Sequence, residues 1–405
     1  MDLRRLVWGE SSTEPTIPLY FPILALLPII ASLSITTWFF PREIGYIITG
    51  AVLASVSAYA LLIPDIRLQL DVPFLVLLGG YWLGLIATYH YAAHGDALQY
   101  ILVTPLAVFG TAIVLPTLID GRRQTFAMGL TFVTVVIALI GLGMLWQEVQ
   151  TSETLYEHVG TEVMGIGGIQ TVSIFHNPNT YGFVMMAGSL TALYTYLTRR
   201  GAVWFGALFL SLLGLFLSGG DASLTGFTVG AVLVLSGSDR RFGFLGILFA
   251  MVGVYVATRL GHVAEVMDGT LMIRVDSWIA SLEHIAANPL FGIGFADTAE
   301  QIGEDYGPHN SYIYPLLSTG LIAGGFYLSA LAYSLGQGIR KRWTPWNAYA
   351  VGLTTAIFLY MGFESLFLGG LSVSSITLGL ALGLLLYSPE ADGPVTGLRS
   401  KFELR

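Results

Sequence analysis

The chain contains no cysteine, and this excludes disulfide bonds and thiolate metal sites. Lysine is nearly absent too, because only Lys341 and Lys401 occur among the 18 basic residues. Charged residues make up only 11% of the 405 positions, whereas a soluble domain has about 25%. No P-loop or Rossmann fingerprint is present. We therefore expect neither a soluble enzyme nor a nucleic-acid partner, and we expect no metal site and no cofactor.

What the chain has in abundance is hydrophobic residues, at 54% of the sequence, with a mean hydropathy of +0.71. A helix needs about 20 apolar residues to cross the hydrocarbon core of a bilayer. Because lipid leaves the backbone no other way to satisfy its hydrogen bonds outside a closed barrel, we predict an all-α polytopic membrane protein. It forms a single integral-membrane domain over 1–405. About twelve spans are predicted, near 19–40, 44–63, 69–90, 98–119, 125–147, 179–198, 202–218, 223–237, 242–260, 310–336, 346–364 and 370–387.

The distribution of basic residues orients these spans. If the N-terminus lies inside, 15 of the 18 basic residues fall in inside segments, and the exceptions are Arg42, Arg259 and Arg274. Positive residues mark the cytoplasmic side of a membrane protein. We therefore predict a multi-pass protein of the cell (plasma) membrane with both termini cytoplasmic. The cytoplasmic tail covers 388–405, and the loops 148–178 and 261–309 lie outside.

The extracytoplasmic loop 261–309, between spans nine and ten, carries the longest polar stretch of the chain. Arg274 stands alone there as a cation, either as an anion clamp or as an arginine that reaches lipid headgroups. The segment 274–288 predicts an amphipathic helix, either interfacial or packed over the bundle. Its expected apolar face is Val275, Trp278, Ile279, Leu282 and Ile285.

His309 stands at the predicted membrane–water boundary, where the next span begins. An imidazole there can accept a proton near neutral pH, although a lone histidine is more often structural. Asn310 either orients His309 or caps the helix that follows. Tyr312 is either a substrate contact or an interface aromatic.

Other polar residues lie at predicted outer ends of spans. Asn177 and Asn179 stand at the mouth of span six, where Asn179 is a plausible N-cap or a substrate contact. Asp221 and Glu364 are acids near the membrane boundary, and such acids are candidates for function. Burial of an acid near the boundary costs little, so Asp221 and Glu364 are only weakly indicated as functional residues.

The pattern R-x₃-W, followed by NPLFGIG and HNSYIYPLLSTGLIAGG over 274–325, resembles the signature of the O-antigen ligase/polymerase superfamily of WaaL, Wzy and PglL types. The upstream segment FHNPNTYG resembles the F-x-N-x-N segment of that family. Two positions depart from the family pattern. Asp221 stands where an arginine is common, and Ser318 stands where an acid is common.

The resemblance implies a metal-independent, GT-C-like membrane glycosyltransferase. Such an enzyme takes a glycan from a polyprenyl diphosphate or dolichyl phosphate carrier on the outer face. It passes the glycan to a hydroxyl of an acceptor glycan, lipid or protein. By this resemblance Arg274 holds the carrier phosphate and His309 activates the acceptor hydroxyl. The expected substrate-binding residues are Asn177, Asn179, Asp221, Trp278, Asn310 and Tyr312.

A transporter or flippase of lipid-linked oligosaccharide is the alternative interpretation, because twelve spans are common in transporters. Internal repeats typical of such folds are not evident, and few ionisable residues fall at mid-span. Ligase and polymerase activities both remain open, since both share the motif.

Overall fold

The computed structural model describes residues 20–63, 66, 68–92, 97–151, 171–238, 272–295, 298–303 and 307–387. These residues are almost entirely helical. The described residues also contain one isolated antiparallel β-bridge, between Thr37 and Phe175. The predicted all-helical class is confirmed for this part of the chain. The predicted span 242–260, the loop residues 261–271 and the tail 388–405 lie outside the described residues.

Helices coincide with eleven of the twelve predicted spans, and two further helices belong to the predicted outer loop. A π-helical segment, Phe109–Val114, joins α4 and α5 into one predicted span. The described helices are α1 (Tyr20–Thr36), α2 (Arg42–Leu62), α3 (Val72–Tyr91), α4 (Ala97–Val108), α5 (Leu115–Ile119), α6 (Arg123–Thr151), α7 (Pro178–Arg199), α8 (Ala202–Leu217), α9 (Asp221–Ser236), α10 (Met272–Ala287), α11 (Thr298–Ile302), α12 (Ile313–Arg340), α13 (Pro345–Met361) and α14 (Val373–Tyr387).

The described helices have the apolar surface of a polytopic membrane protein. Five segments are long and apolar enough to cross a bilayer, namely α2, α3, Leu98–Ile119, Arg123–Gln147 and α12. Shorter apolar helices are α1, α8, α9 and α14. Large apolar side chains point outward, with Ile47 70%, Leu102 68% and Phe132 69% exposed. The number of twelve spans stays a prediction.

Close helix packing inside the bundle depends on small residues. Helices α9 and α13 meet at Gly230 and Gly352, where a Cβ on either glycine would lie 2.8 or 2.7 Å from the carbonyl oxygen of the other. Gly226, one turn earlier in α9, packs against the carbonyl of Ala356 in the same way. Such small-residue contacts are typical of helices in a membrane, where lipid offers no hydrophobic driving force for association.

Helix α12 is broken at Gly320, whose φ of 78° and ψ of 176° are not helical. The break would leave backbone groups without helical partners. The turn that follows α10 supplies them, because the amides of Ile293 and Gly294 donate to the carbonyls of Leu317 (2.8 Å) and Ser318 (3.1 Å). A non-helical backbone at membrane depth is tolerated when protein covers it in this way.

The contact between the α10–α11 turn and α12 is closed by a third backbone hydrogen bond, from the amide of Leu321 to the carbonyl of Pro289 at 2.8 Å. Gly292, with φ of 67°, lies against Leu317 and Ser318 and leaves no room for a side chain. The motif NPLFGIG is therefore a docking segment. It fixes the helix that carries Arg274 to the helix that follows His309.

The sequence predicts which helix ends lie on the same side of the membrane. In the structure, the helix ends predicted to share a side lie next to each other. At one end, Asn310 and Gly362 are joined by a hydrogen bond of 3.0 Å. At the opposite end, Lys341 Nζ donates to the carbonyl of Leu386 at 2.8 Å, and Arg123 lies over the ring of Trp346 at 5.5 Å. We name the first the outer end, and its orientation towards the outside stays a prediction.

Replacing Gly320 with alanine is expected to destabilise the fold by about 1–3 kcal/mol, because its backbone region is essentially restricted to glycine. A Cβ there would also lie 2.8 Å from the amide nitrogen of Phe291. Gly325→Ala in the same helix is the matched control, since nothing lies within 4 Å of its Cβ position. Thermal unfolding of both purified variants measures the difference, and equal midpoints would contradict this account of the break.

Candidate functional site

The centre of the outer end is an ion pair between Arg274 and Glu364. The guanidinium Nη2 lies 3.0 Å from Glu364 Oε1, and the two side chains are only 22% and 12% exposed. Asn179 Nδ2 donates to the same carboxylate oxygen at 2.9 Å. Arg274 belongs to α10 and Asn179 to α7, while Glu364 follows α13. One carboxylate therefore connects three elements that are distant in sequence.

The backbone around Glu364 is tied to the segment that carries His309. Ser311 Oγ donates to the Glu364 carbonyl at 2.6 Å and accepts from the amide of Leu366 at 2.7 Å. The Ser311 amide donates to the carbonyl of Met361 at 2.8 Å.

His309 has a left-handed backbone, with φ of 39°, which is unusual for a residue other than glycine. Hydrogen bonds hold the chain on both sides of it. The Trp278 indole donates to the carbonyl of Pro308 at 2.6 Å, and Asn310 Nδ2 donates to the carbonyl of Gly362. Strained backbone that neighbouring contacts maintain is common at functional sites.

Arg274 sets the electrostatics of the outer end. Burial lowers the pKa of His309, and the positive charge of Arg274 lowers it further. The imidazole is therefore neutral at pH 7 and can accept a proton. The same guanidinium interacts electrostatically with Asp221 and Glu364. Hydrogen bonds and the ion pair place Arg274 beside Glu364 and the Arg274 helix beside the residue that precedes His309.

Asn310 and Asn177 accept hydrogen bonds from backbone amides at the starts of α12 and α7. Asn310 Oδ1 accepts from the amides of Tyr312 (2.9 Å) and Ile313 (3.1 Å), so the predicted capping role is confirmed. Of the two roles left open for Asn179, an N-cap or a substrate contact, the N-cap is ruled out. Asn177 caps α7 by accepting from the Asn179 amide at 2.7 Å, which frees the Asn179 side chain for Glu364.

Tyr312 and Trp278, two of the predicted substrate-binding residues, donate hydrogen bonds to carbonyl groups of the protein. Tyr312 donates its hydroxyl to the carbonyl of Phe358 at 2.7 Å, as Trp278 donates its indole to Pro308. These contacts give both side chains a positioning role. Direct contact of either ring with a substrate stays a prediction.

The predicted helix 274–288 is present as α10, which begins two residues earlier, at Met272. Of its expected apolar face, Ile285 is buried, whereas Ile279 and Leu282 are 52% and 53% exposed. The face packed against the protein also contains Ser277 and Ser281, which are buried, and Arg274 pairs with Glu364 there. The exposed Ile279 and Leu282 suit the interfacial alternative, and that alternative stays a prediction.

The sequence indicates Glu364 only weakly as a site residue, and no sequence pattern singles out Ser311. The available signal for Glu364 was an acid directly after an apolar run, which marks a functional candidate in a membrane protein. No local pattern connects it to Arg274, since 90 residues separate the two in sequence. Only the packing of α10, α12 and α13 brings them together.

The described outer end of this helical bundle thus combines a half-buried arginine, a histidine with a lowered pKa and the acid Glu364. A model of the family Wzy_C, described as O-antigen ligase, matches residues 180–328. This match confirms the resemblance stated above over these residues. The match includes Asp221, Arg274 and His309, while Asn179 and Glu364 lie outside it. A comparison with curated proteins finds no match.

Replacing Arg274 with glutamine is expected to raise the pKa of His309, because the replacement removes a positive charge that disfavours the imidazolium. The pKa of His309 in the wild type should lie below its ordinary value of 6.5. Burial remains in the variant, so only part of the shift should disappear. Histidine NMR resonances assigned by difference from His309→Gln give both titrations. Identical His309 titrations in the two proteins would show that Arg274 does not act on the imidazole.

Proposed function

We propose that this protein is a membrane glycosyltransferase of the O-antigen ligase or polymerase type. It moves a glycan from a polyprenyl or dolichyl (di)phosphate carrier to an acceptor hydroxyl at the outer face of the membrane. The observation that carries the proposal is that Arg274 and His309 lie at one end of the bundle, where Trp278 of the Arg274 helix donates to the carbonyl of Pro308, the residue before His309. Both residues lie within the matched range 180–328. The family match supports a glycan-transferring activity.

Arg274 is the group that binds the carrier phosphate in this proposal. A guanidinium has five N–H donors in a planar fork, and the contact with Glu364 uses only one of its nitrogens. Phosphate oxygens match the geometry of that fork. Glu364, which also accepts a hydrogen bond from Asn179, holds the guanidinium in place, so its charge is already oriented when negative charge develops on the leaving phosphate.

His309 is the base for the acceptor. The acceptor hydroxyl oxygen bonds to the anomeric carbon, and the bond from that carbon to the phosphate oxygen breaks with its electron pair on the phosphate. The hydroxyl proton moves to a ring nitrogen of His309, which later releases it to solvent or to the departing phosphate. The lowered pKa of His309 keeps the imidazole neutral and ready to accept that proton.

Trp278 and Asn310 are positioning residues in this mechanism. Their hydrogen bonds to Pro308 and Gly362 hold the left-handed backbone of His309, which directs the imidazole. Asn177 caps the helix from which Asn179 reaches Glu364. A misplacement of the reacting groups by about 1 Å is enough to cost about two orders of magnitude in rate.

Loss of either Arg274 or His309 is expected to reduce glycan transfer by roughly 100-fold or more, because a positioned base and a charge-stabilising donor each contribute about that factor. Cells lacking the protein should accumulate carrier-linked glycan and lose the surface product. Wild type should restore that product, whereas Arg274→Ala and His309→Ala should not.

Matched controls separate loss of chemistry from loss of folding. Arg42→Ala removes an exposed arginine at the same end of the bundle, and His284→Ala removes a histidine of α10, so both should complement fully. Restored transfer by both site variants would contradict the proposal. Accumulation of carrier-linked glycan on the inner face would instead favour a transporter or flippase.

The rate of transfer should fall on the acid side with an inflection below pH 6.5, because protonated His309 cannot accept the acceptor proton. Carrier-linked glycan from cells lacking the protein serves as the donor in membrane vesicles. The pH profile of kcat/KM reports the free enzyme. His309→Gln should leave a slow rate without this inflection, and an unchanged inflection in that variant would assign it to another group.

A further inference from the structure

The turn that follows α13 carries Glu364, and its backbone groups have left the helical hydrogen-bond pattern. Buried groups of this kind need partners elsewhere in the protein. Ser311 supplies three such contacts. Its amide donates to the carbonyl of Met361 at 2.8 Å, its Oγ donates to the carbonyl of Glu364 at 2.6 Å, and the same Oγ accepts from the amide of Leu366 at 2.7 Å. One residue therefore holds this turn on both sides of Glu364.

The hydroxyl of Ser311 is the point where two of these contacts meet, and it is buried. The side chain is only 1% exposed. A hydroxyl donates one hydrogen bond and accepts up to two, and here it donates to the turn and accepts from it. Alanine at this position would leave a carbonyl and an amide of the turn without these partners. The turn would then have to shift to satisfy them, because buried polar groups without partners are costly.

Contacts lead from Ser311 to both reacting groups of the proposed mechanism. On one side, Ser311 follows His309 by two residues in the same segment. On the other side, it holds the backbone of Glu364, whose Oε1 lies 3.0 Å from Nη2 of Arg274. The position of the guanidinium relative to the imidazole therefore depends on how this turn is held.

We infer that Ser311 is a positioning residue that couples Arg274 to His309 through the turn that carries Glu364. This inference rests on the proposed function and adds a residue to it. Ser311 contacts the protein backbone, so it acts on the reaction through Glu364 and not on the substrate. Because the phosphate-binding group and the base serve one anomeric carbon at the same moment, an error of about 1 Å in their relative position costs about two orders of magnitude in rate.

The variant Ser311→Ala tests this inference in membrane vesicles, with carrier-linked glycan from cells lacking the protein as the donor. Its kcat per folded molecule should fall about tenfold or more, because the two groups no longer align in the transition state. Its KM for the donor should change by less than about threefold, since an interaction that acts mainly in the transition state lowers kcat and kcat/KM together.

Two further serine variants separate positioning from folding. Ser334→Ala is the matched control, because Ser334 is 0% exposed and donates its hydroxyl to the carbonyl of Ala330 within α12, at 2.9 Å. It should keep the wild-type kcat. Ser311→Thr keeps a hydroxyl at position 311 and should recover most of the lost kcat. A merely structural role of Ser311 would lower the thermal unfolding midpoint of Ser311→Ala and leave its kcat per folded molecule at the wild-type value.

A double-mutant cycle with Glu364→Gln shows whether Ser311 acts through Glu364. Glutamine keeps the size of the side chain but removes the negative charge that holds the guanidinium. If the coupling runs through this side chain, Ser311→Ala should slow the Glu364→Gln enzyme by less than about threefold, so that the two effects are not additive.

The outcomes separate this inference from the proposed function. If Arg274→Ala and His309→Ala both transfer glycan at the wild-type rate, the proposed function fails. If these two variants lose transfer but Ser311→Ala keeps the wild-type kcat per folded molecule, only the inference about Ser311 is overturned. Equal slowing by Ser311→Ala with and without Glu364→Gln overturns it as well, and so does a folded Ser311→Thr enzyme that is as slow as Ser311→Ala.

Discussion

The ion pair between Arg274 and Glu364 is the contact on which the outer end of the bundle depends. A guanidinium that is only 22% exposed needs a partner, because removing either member of such a pair leaves a buried charge uncompensated. Glu364 connects Arg274 to Asn179, and its backbone connects to Ser311. The demands of one buried charge therefore bring together α7, α10, α12 and the segment after α13.

A second constraint lies deeper, at the break in α12. The amides and carbonyl of the turn after α10 satisfy the backbone groups that Gly320 frees, so the two elements are joined below the ion pair as well as at it. Two separate joints fix the position of α10 relative to α12 more firmly than either alone. Since Arg274 lies near the start of one element and His309 precedes the other, this double attachment sets the position of Arg274 relative to His309.

The sequence predicted the helical class, eleven helices in the right places and most of the polar residues at the outer end, because hydrophobic runs and polar interruptions are local signals. It did not predict which polar residues pair. The buried face of α10 contains serines, which periodicity alone assigns to water, and Glu364 is joined to Arg274 only by tertiary packing. The sequence offered Asn179 as one possible cap of α7, whereas Asn177 is the cap, since both asparagines suit the role and only the backbone geometry distinguishes them.

The measurement that tests the central claim most directly is an experimental structure of the His309→Ala variant in nanodiscs with carrier-linked glycan bound. The proposed role of Arg274 requires a phosphate oxygen at about 2.7–3.2 Å from its guanidinium, with the anomeric carbon on the side where His309 is missing. A carrier phosphate at the opposite end, near Arg123 and Lys341, or away from Arg274 at the outer end, would contradict the account.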